Sequence, residues 1–123
     1  MTIEQTIVTV MTSDGTLAAL VPSRYAGRLP QNPSYPNICF FRVATSYNVA
    51  LDSVDALTNA RFQFDIRDTT LAGAKAAASA LRNALTTRAT LKATPVMEHD
   101  WPYEPDALCY RIVADYSIFY AHV

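Results

Sequence analysis

Glycine occurs only three times in 123 residues, at positions 15, 27 and 73. That scarcity leaves no glycine-rich loop to cradle phosphates and removes the nucleotide-binding motifs built on one. Cysteine occurs twice, at Cys39 and Cys109, each inside a strand-like run. Buried thiols in such runs are expected to stay free and inert rather than to pair. Neither has a histidine beside it, and His122 falls near a chain end, where segments fray, so the pattern of an activated nucleophile is missing. Charge of one sign is lacking as well: ten Lys and Arg face eleven Asp and Glu, for a formal net charge of −1 and a pI of about 6.0. A freely acting nucleic-acid binder carries a basic stripe, and none is visible. No apolar run approaches the roughly 18 residues of a membrane span. The opening MTIEQTIVTVM has no basic leader, and Glu4, Gln5 and Thr6 interrupt it, so it does not resemble a signal peptide and the chain is read as cytoplasmic in origin.

What is present suits a single globular domain spanning 1–123. Half of the residues are apolar and 17% are charged, which argues against disorder. A chain of this length buries roughly two-thirds of its unfolded surface, enough for a core without metal or disulfide staples. No repeat or low-complexity segment interrupts it.

Along the chain, Thr2 with Gln5 has capping-box spacing, and Ile3, Ile7, Val10 and Met11 form one apolar stripe of a first helix. Ser13-Asp14-Gly15 reads as a turn, followed by a short helix from Thr16 to Val21 that Pro22 ends. Residues 22–36 hold four prolines and Gly27. Each proline removes a ladder donor, so this stretch reads as an edge strand near Arg24–Leu29 and an ordered loop. Two β-prone runs, 37–51 and 57–68, flank the polar tip DSVDA and read as a hairpin. Asp68, Thr69 or Thr70 then caps an alanine-rich helix in which Leu71, Ala74, Ala78, Leu81 and Leu85 recur at helical spacing. A strand near Thr90–Met97 precedes EHDWPYEPD, residues 98–106, read as a loop rigidified by Pro102 and Pro105. The last strand sets Leu108, Tyr110, Ile112, Ala114, Tyr116, Ile118 and Tyr120 on one face. Cys109, Arg111, Val113, Asp115, Ser117 and Phe119 take the other. The fold class is α+β: an antiparallel-dominated sheet with helices packed on one face.

No chemistry emerges from candidate clusters. Glu98, His99, Asp100, Glu104 and Asp106 are metal-ligating types, but two prolines within nine residues read first as a rigid surface loop. Asp65 and Asp115 are candidates to meet across the sheet, where Arg61, Arg67 and Arg111 would neutralise them as salt bridges. The aromatics are core before they are base-stacking platforms, because no basic residues interleave with them. No catalytic residue, metal ligand or cofactor is expected. The segment RFQFDIRD, 61–68, remains: Phe62, Phe64 and Ile66 alternate with Arg61, Gln63, Asp65 and Arg67. Together with Arg111 and Asp115, that polar ribbon is either a solvated sheet face or a contact surface with matched charges. The proline segment, with Arg28 and Tyr35, and the hairpin tip, with Asp52 and Asp55, project as further contact candidates.

Several stretches together resemble the tail-completion, or tail-terminator, family of tailed bacteriophages. They are the helical start ending in LAALV, then RYAGRLPQNPSYPNICFFRV with Pro30-Gln31 and Pro36 leading into a strand. RFQFDIRDTTLAGAKAAASALRNAL and a closing LCYRIVADYSIFY with Tyr110-Arg111 follow. The resemblance covers about residues 3–120 and rests on pattern and order. It implies a non-enzymatic virion protein that caps the finished tail tube as a ring, usually of six subunits, and stops polymerisation. It also implies contact with itself, the major tail-tube protein and the head connector or head-closure protein, with DNA passing through the lumen unread. Such a ring has a heterologous interface, and the ribbon Arg61, Gln63, Asp65, Arg67, Arg111 and Asp115 is the candidate for subunit-to-subunit or tube contact. The location implied is the tail–neck junction of a virion assembled in the host cytoplasm. The alternatives are another neck protein, such as a head-closure or connector adaptor, and a small-molecule-binding α+β domain. The 98–106 loop has no counterpart in the family pattern.

Overall fold

The computed structural model describes residues 2–28, 30, 34–47, 57–87 and 91–121. The elements run α1 (Ile3–Ser13), α2 (Gly15–Leu20), β1 (Ser23–Ala26), β2 (Asn37–Tyr47), β3 (Leu57–Asp68), α3 (Leu71–Thr86), β4 (Lys92–Glu104) and β5 (Cys109–Ala121). The strands form one sheet in the order β1-β2-β3-β5-β4. Three of its pairings are antiparallel; β1 runs parallel to β2, which makes the sheet mixed. Helices lie on one face of it, as the apolar stripes require.

Local chemistry fixes the helix starts. Thr2 Oγ1 accepts from the Gln5 amide at 3.1 Å while Gln5 Oε1 accepts from the Thr2 amide at 2.8 Å, a reciprocal capping box. The expected turn at Ser13-Asp14-Gly15 is tighter than read. Asp14 Oδ1 accepts from the Leu17 amide at 2.9 Å, so α2 begins at Gly15 and ends one residue early, at Leu20. Of the three candidate caps for α3, Thr70 takes the role, its hydroxyl accepting from the Gly73 amide at 3.0 Å. Glycine is needed there because a Cβ on residue 73 would meet Asp68 Oδ2 at 2.0 Å.

Bulk in the core is divided unequally. The sheet contributes large rings: Phe40 stacks on Phe64 at 5.2 Å, and Tyr116 meets Phe64 edge-on at 5.4 Å. Helix α3 contributes small ones, burying Ala74, Ala77, Ala78, Ala80 and Ala84 beside Leu81 and Leu85. The N-terminal helix completes the same core through Ile3, Ile7, Val10 and Met11. Arg42 reinforces that packing from β2. Alternation with Ile38 and Phe40 puts its guanidinium on the helix side, 2.7 Å from Glu4 and over the rings of Phe62 and Tyr120 at 5.6 and 5.8 Å, and the register shifts only after it.

Two expectations change. The expected loop at 98–106 is strand as far as Glu104. Both Pro95 and Pro102 are accommodated because β4 is an edge strand and its ladder shifts register between Pro95 and Met97 and between Trp101 and Glu104. Leu108, placed on the apolar face of the last strand, instead precedes it with φ +55° and 64% exposure. The edge strand expected near Arg24–Leu29 is Ser23–Ala26, and the hairpin tip with Asp52 and Asp55 lies outside the described residues. Cys39 and Cys109 are free and buried.

Leu81 is fully buried whereas Leu71, one face away, is 46% exposed. Leu81→Ala should therefore lower the unfolding free energy by about 2–5 kcal/mol in urea titrations. Leu71→Ala should change it by no more than about 0.5 kcal/mol.

Candidate assembly surface

Strand alternation sends Arg61, Gln63, Asp65 and Arg67 to the face opposite the helices. Pairing with β5 sets Arg111 directly across from Arg67, and Asp115 across from Gln63. Two guanidinium groups facing each other on neighbouring strands repel. Asp65 resolves this: its Oδ2 lies 2.9 Å from Arg111 Nη2 and 3.8 Å from Arg67 Nη2. Its Oδ1 accepts from Gln63 Nε2 at 3.3 Å. Asp65 is only 8% exposed, so these bonds offset the cost of burying its charge.

The network continues towards β4. Glu104 Oε1 lies 3.8 Å from Arg111 Nη1, and the Trp101 ring stacks under the Arg111 guanidinium at 5.2 Å. Further along β5, Asp115 holds Arg61 at 3.3 Å and Ser117 accepts from Asn59 at 2.7 Å. All six ribbon residues predicted from the sequence thus share one face, and each charged member has an opposite partner within the subunit.

The acidic segment that had no assigned role also has one. Alternation along β4 turns Glu98 and Asp100 towards α3, where Arg82 lies 3.6 Å from Glu98 and Lys75 pairs with Asp100. Glu104 is taken by Arg111. These acids tie the edge strand to the helix and to the ribbon. Tyr35 makes a similar tie: its hydroxyl donates to the Ala107 carbonyl at 3.0 Å, pinning the proline segment to the β4–β5 connection. Burial, and then contact with Cys109, pushes the Tyr35 phenol up. Arg28 is exposed.

Sequence reading missed the apolar flanks of this face. Phe41 and Val43 stand exposed on β2, and Val96, Met97, Trp101 and Tyr103 on β4, Trp101 at 51%. A signal for the β4 set existed in the alternation of acids with His99 and Trp101, but two prolines concealed it. Such exposed apolar groups beside satisfied charges are typical of contact surfaces.

The sequence profile of a family described as "Tail completion protein gp17" matches residues 5–121. The chain belongs to this family. Its fold is similar to a chain in the virion of a native gene transfer agent particle, with TM-score 0.61 and 22% identity over 94% of this chain and 92% of that one. It is also similar to the gp17 protein of bacteriophage SPP1, with TM-score 0.62 and 16% identity over 94% and 86% respectively. Among curated proteins none matches the sequence. Family membership makes the chain a structural protein of the phage tail and neck.

Two predictions follow from these environments. Asp65→Ala leaves Arg67 facing Arg111 with Glu104, 3.8 Å from Arg111, as the remaining countercharge, and should lower stability by about 3 kcal/mol in urea denaturation. Asp115→Ala, whose partner Arg61 has a side chain 44% exposed, should cost no more than about 1 kcal/mol. Tyr116 is the second case: burial first, then the charge of Glu98, raises its phenol from 10.0 to about 12, against the lowering effect of Arg82. The neutral phenol is favoured in the fold, so its contribution is complete below pH 10 and is lost as pH rises through about 12. Phenolate absorbance should show a last ionisation near pH 12, and Tyr116→Phe should remove that step.

Proposed function

We propose that this protein ends polymerisation of a phage tail tube by closing on it as a ring, taken as six subunits, and then presents that ring to the head connector. The observation that carries the proposal is membership of the tail completion family over residues 5–121. The outward sheet face supports it physically. Its charges are matched within the subunit, so a partner meets an ordered pattern that sets register and rejects mismatched neighbours. Arg61, Gln63, Arg67, Arg111 and Asp115 are the contact residues of this reading. Asp65 acts through the posture it imposes on Arg67 and Arg111. Arg28 and Tyr35 add contacts from the proline segment, and Asp52 and Asp55 from the hairpin. A net charge of −1 suits a channel through which DNA slides without being held.

Sedimentation of the purified protein, alone and mixed with tail tubes, tests the proposal. The expected result is a closed oligomer in at least one condition, seen by electron microscopy as a cap on tube ends. A strict monomer with tubes present overturns it. Arg61→Glu places like charge beside Asp115 at an exposed position. It should lower the unfolding free energy by only about 1 kcal/mol and reduce head–tail joining in complementation at least tenfold. Unchanged joining would make that face a solvated one.

A further inference from the structure

The two free edges of the sheet are unlike each other, and their differences are complementary. At one end β1 is four residues long, and an open groove of about 390 Å³ runs between it and α1, lined by Glu4, Gln5, Val8, Thr9 and Ala26. At the other end β4 is thirteen residues long and carries Val96, Met97, Trp101 and Tyr103 exposed. The strand order places these features on opposite sides of one subunit. A long apolar edge strand invites another strand to pair with it. Here Pro95, Pro102 and two register shifts break the regular row of donors and acceptors, so contact at this edge falls to side chains rather than to added strand.

Charge is arranged in the same sense. Among the described residues, Arg28 just beyond β1 and Asp106 just beyond β4 have no ion-pair partner. They carry opposite signs at opposite edges. The groove's one acid, Glu4, is already paired with Arg42, so the concave end offers Arg28 beside an apolar and amide lining, and the other end offers apolar knobs and Asp106; the two fit a second copy head to tail.

We infer that the β4 rim of one subunit, led by Met97 and Trp101, seats in the α1–β1 groove of the next, with Asp106 meeting Arg28. This rests on the ring reading above and names the surfaces that would close such a ring. It differs from the ribbon: Trp101 stacks on Arg111 from the outside, so the rim and the charged face meet along β4, and seating the rim orders the face beside it.

The test uses the full chain in its assembled state. Copies carrying Thr9→Cys are mixed with copies carrying Met97→Cys and treated with a short bismaleimide; the native Cys39 and Cys109 are buried and stay unlabelled. Cross-linked dimers are expected from the mixture and not from either variant alone. In parallel, Thr9→Trp plugs the groove and Met97→Glu charges the rim, both at exposed positions. Each should raise the concentration at which the closed oligomer forms at least about tenfold, with circular dichroism and urea midpoint unchanged. Assembly of both variants at the wild-type concentration, or absence of the mixed cross-link in assembled samples, overturns this inference and leaves the ring reading standing. Wild-type protein that never assembles, even with tubes, overturns both.

Discussion

The alanine face of α3 decides much of what surrounds it. A helix lined with leucine stands off a sheet by the length of its side chains; one lined with Ala74, Ala77, Ala78, Ala80 and Ala84 can lie close. Volume must then come from the sheet, and Phe40, Phe62, Phe64 and Tyr116 supply it. The close approach also brings Lys75 and Arg82, at the margin of the helix, within reach of Asp100 and Glu98 on β4. Exposed ion pairs of this kind contribute little to stability. Their effect is geometric: they fix which side of the edge strand faces the helix, and so which side presents Met97 and Trp101.

The opposite face obeys a different constraint. Among the described residues no element covers it, yet Asp65 is nearly buried there, because Arg67, Arg111 and Gln63 surround it. Removing one partner from such a cluster costs more than the cluster contributes as a whole. The cluster is therefore better understood as a device for posture than for stability. It orders long side chains that would otherwise lose rotamer freedom on meeting a partner, and prior ordering reduces that part of the cost of association. Burial, and then the Asp65 charge, also raises the thiol of Cys39, keeping it protonated and inert behind the ribbon.

How much of this was legible in the sequence depended on whether a signal was local. The α1 capping box, the period of α3 and the alternation of β3 are set by neighbours within a few residues, and all three are where the sequence placed them. The α+β class and the one-sided packing followed from those elements. Beyond local reach lay the partner of β1, since four residues carry no sign of a parallel mate. The extent of β4 was hidden for a related reason: proline is incompatible with a central strand but tolerated at an edge, and edge position is a property of the whole sheet. Leu108 fits the apolar alternation of β5, but the turn after Asp106 places it at positive φ. For the ribbon, composition showed balanced charge, whereas the role of Asp65 between two facing arginines needed the β3–β5 register.

That register links the two surfaces. Arg111 sits where they meet: its guanidinium bonds Asp65 on one side and rests on the Trp101 ring on the other, while Glu104 approaches from the end of β4. A displacement of Trp101 by a neighbouring molecule would free one face of that guanidinium and alter its balance between Asp65 and Glu104. Because Asp65 also restrains Arg67, the change would pass across the sheet to β3 through charge contacts alone, with no movement of the core beneath. In a subunit built this way, an edge and a face share one guanidinium. On the ring reading proposed above, that link lets side-by-side contacts bias the exposed face before it meets the next component.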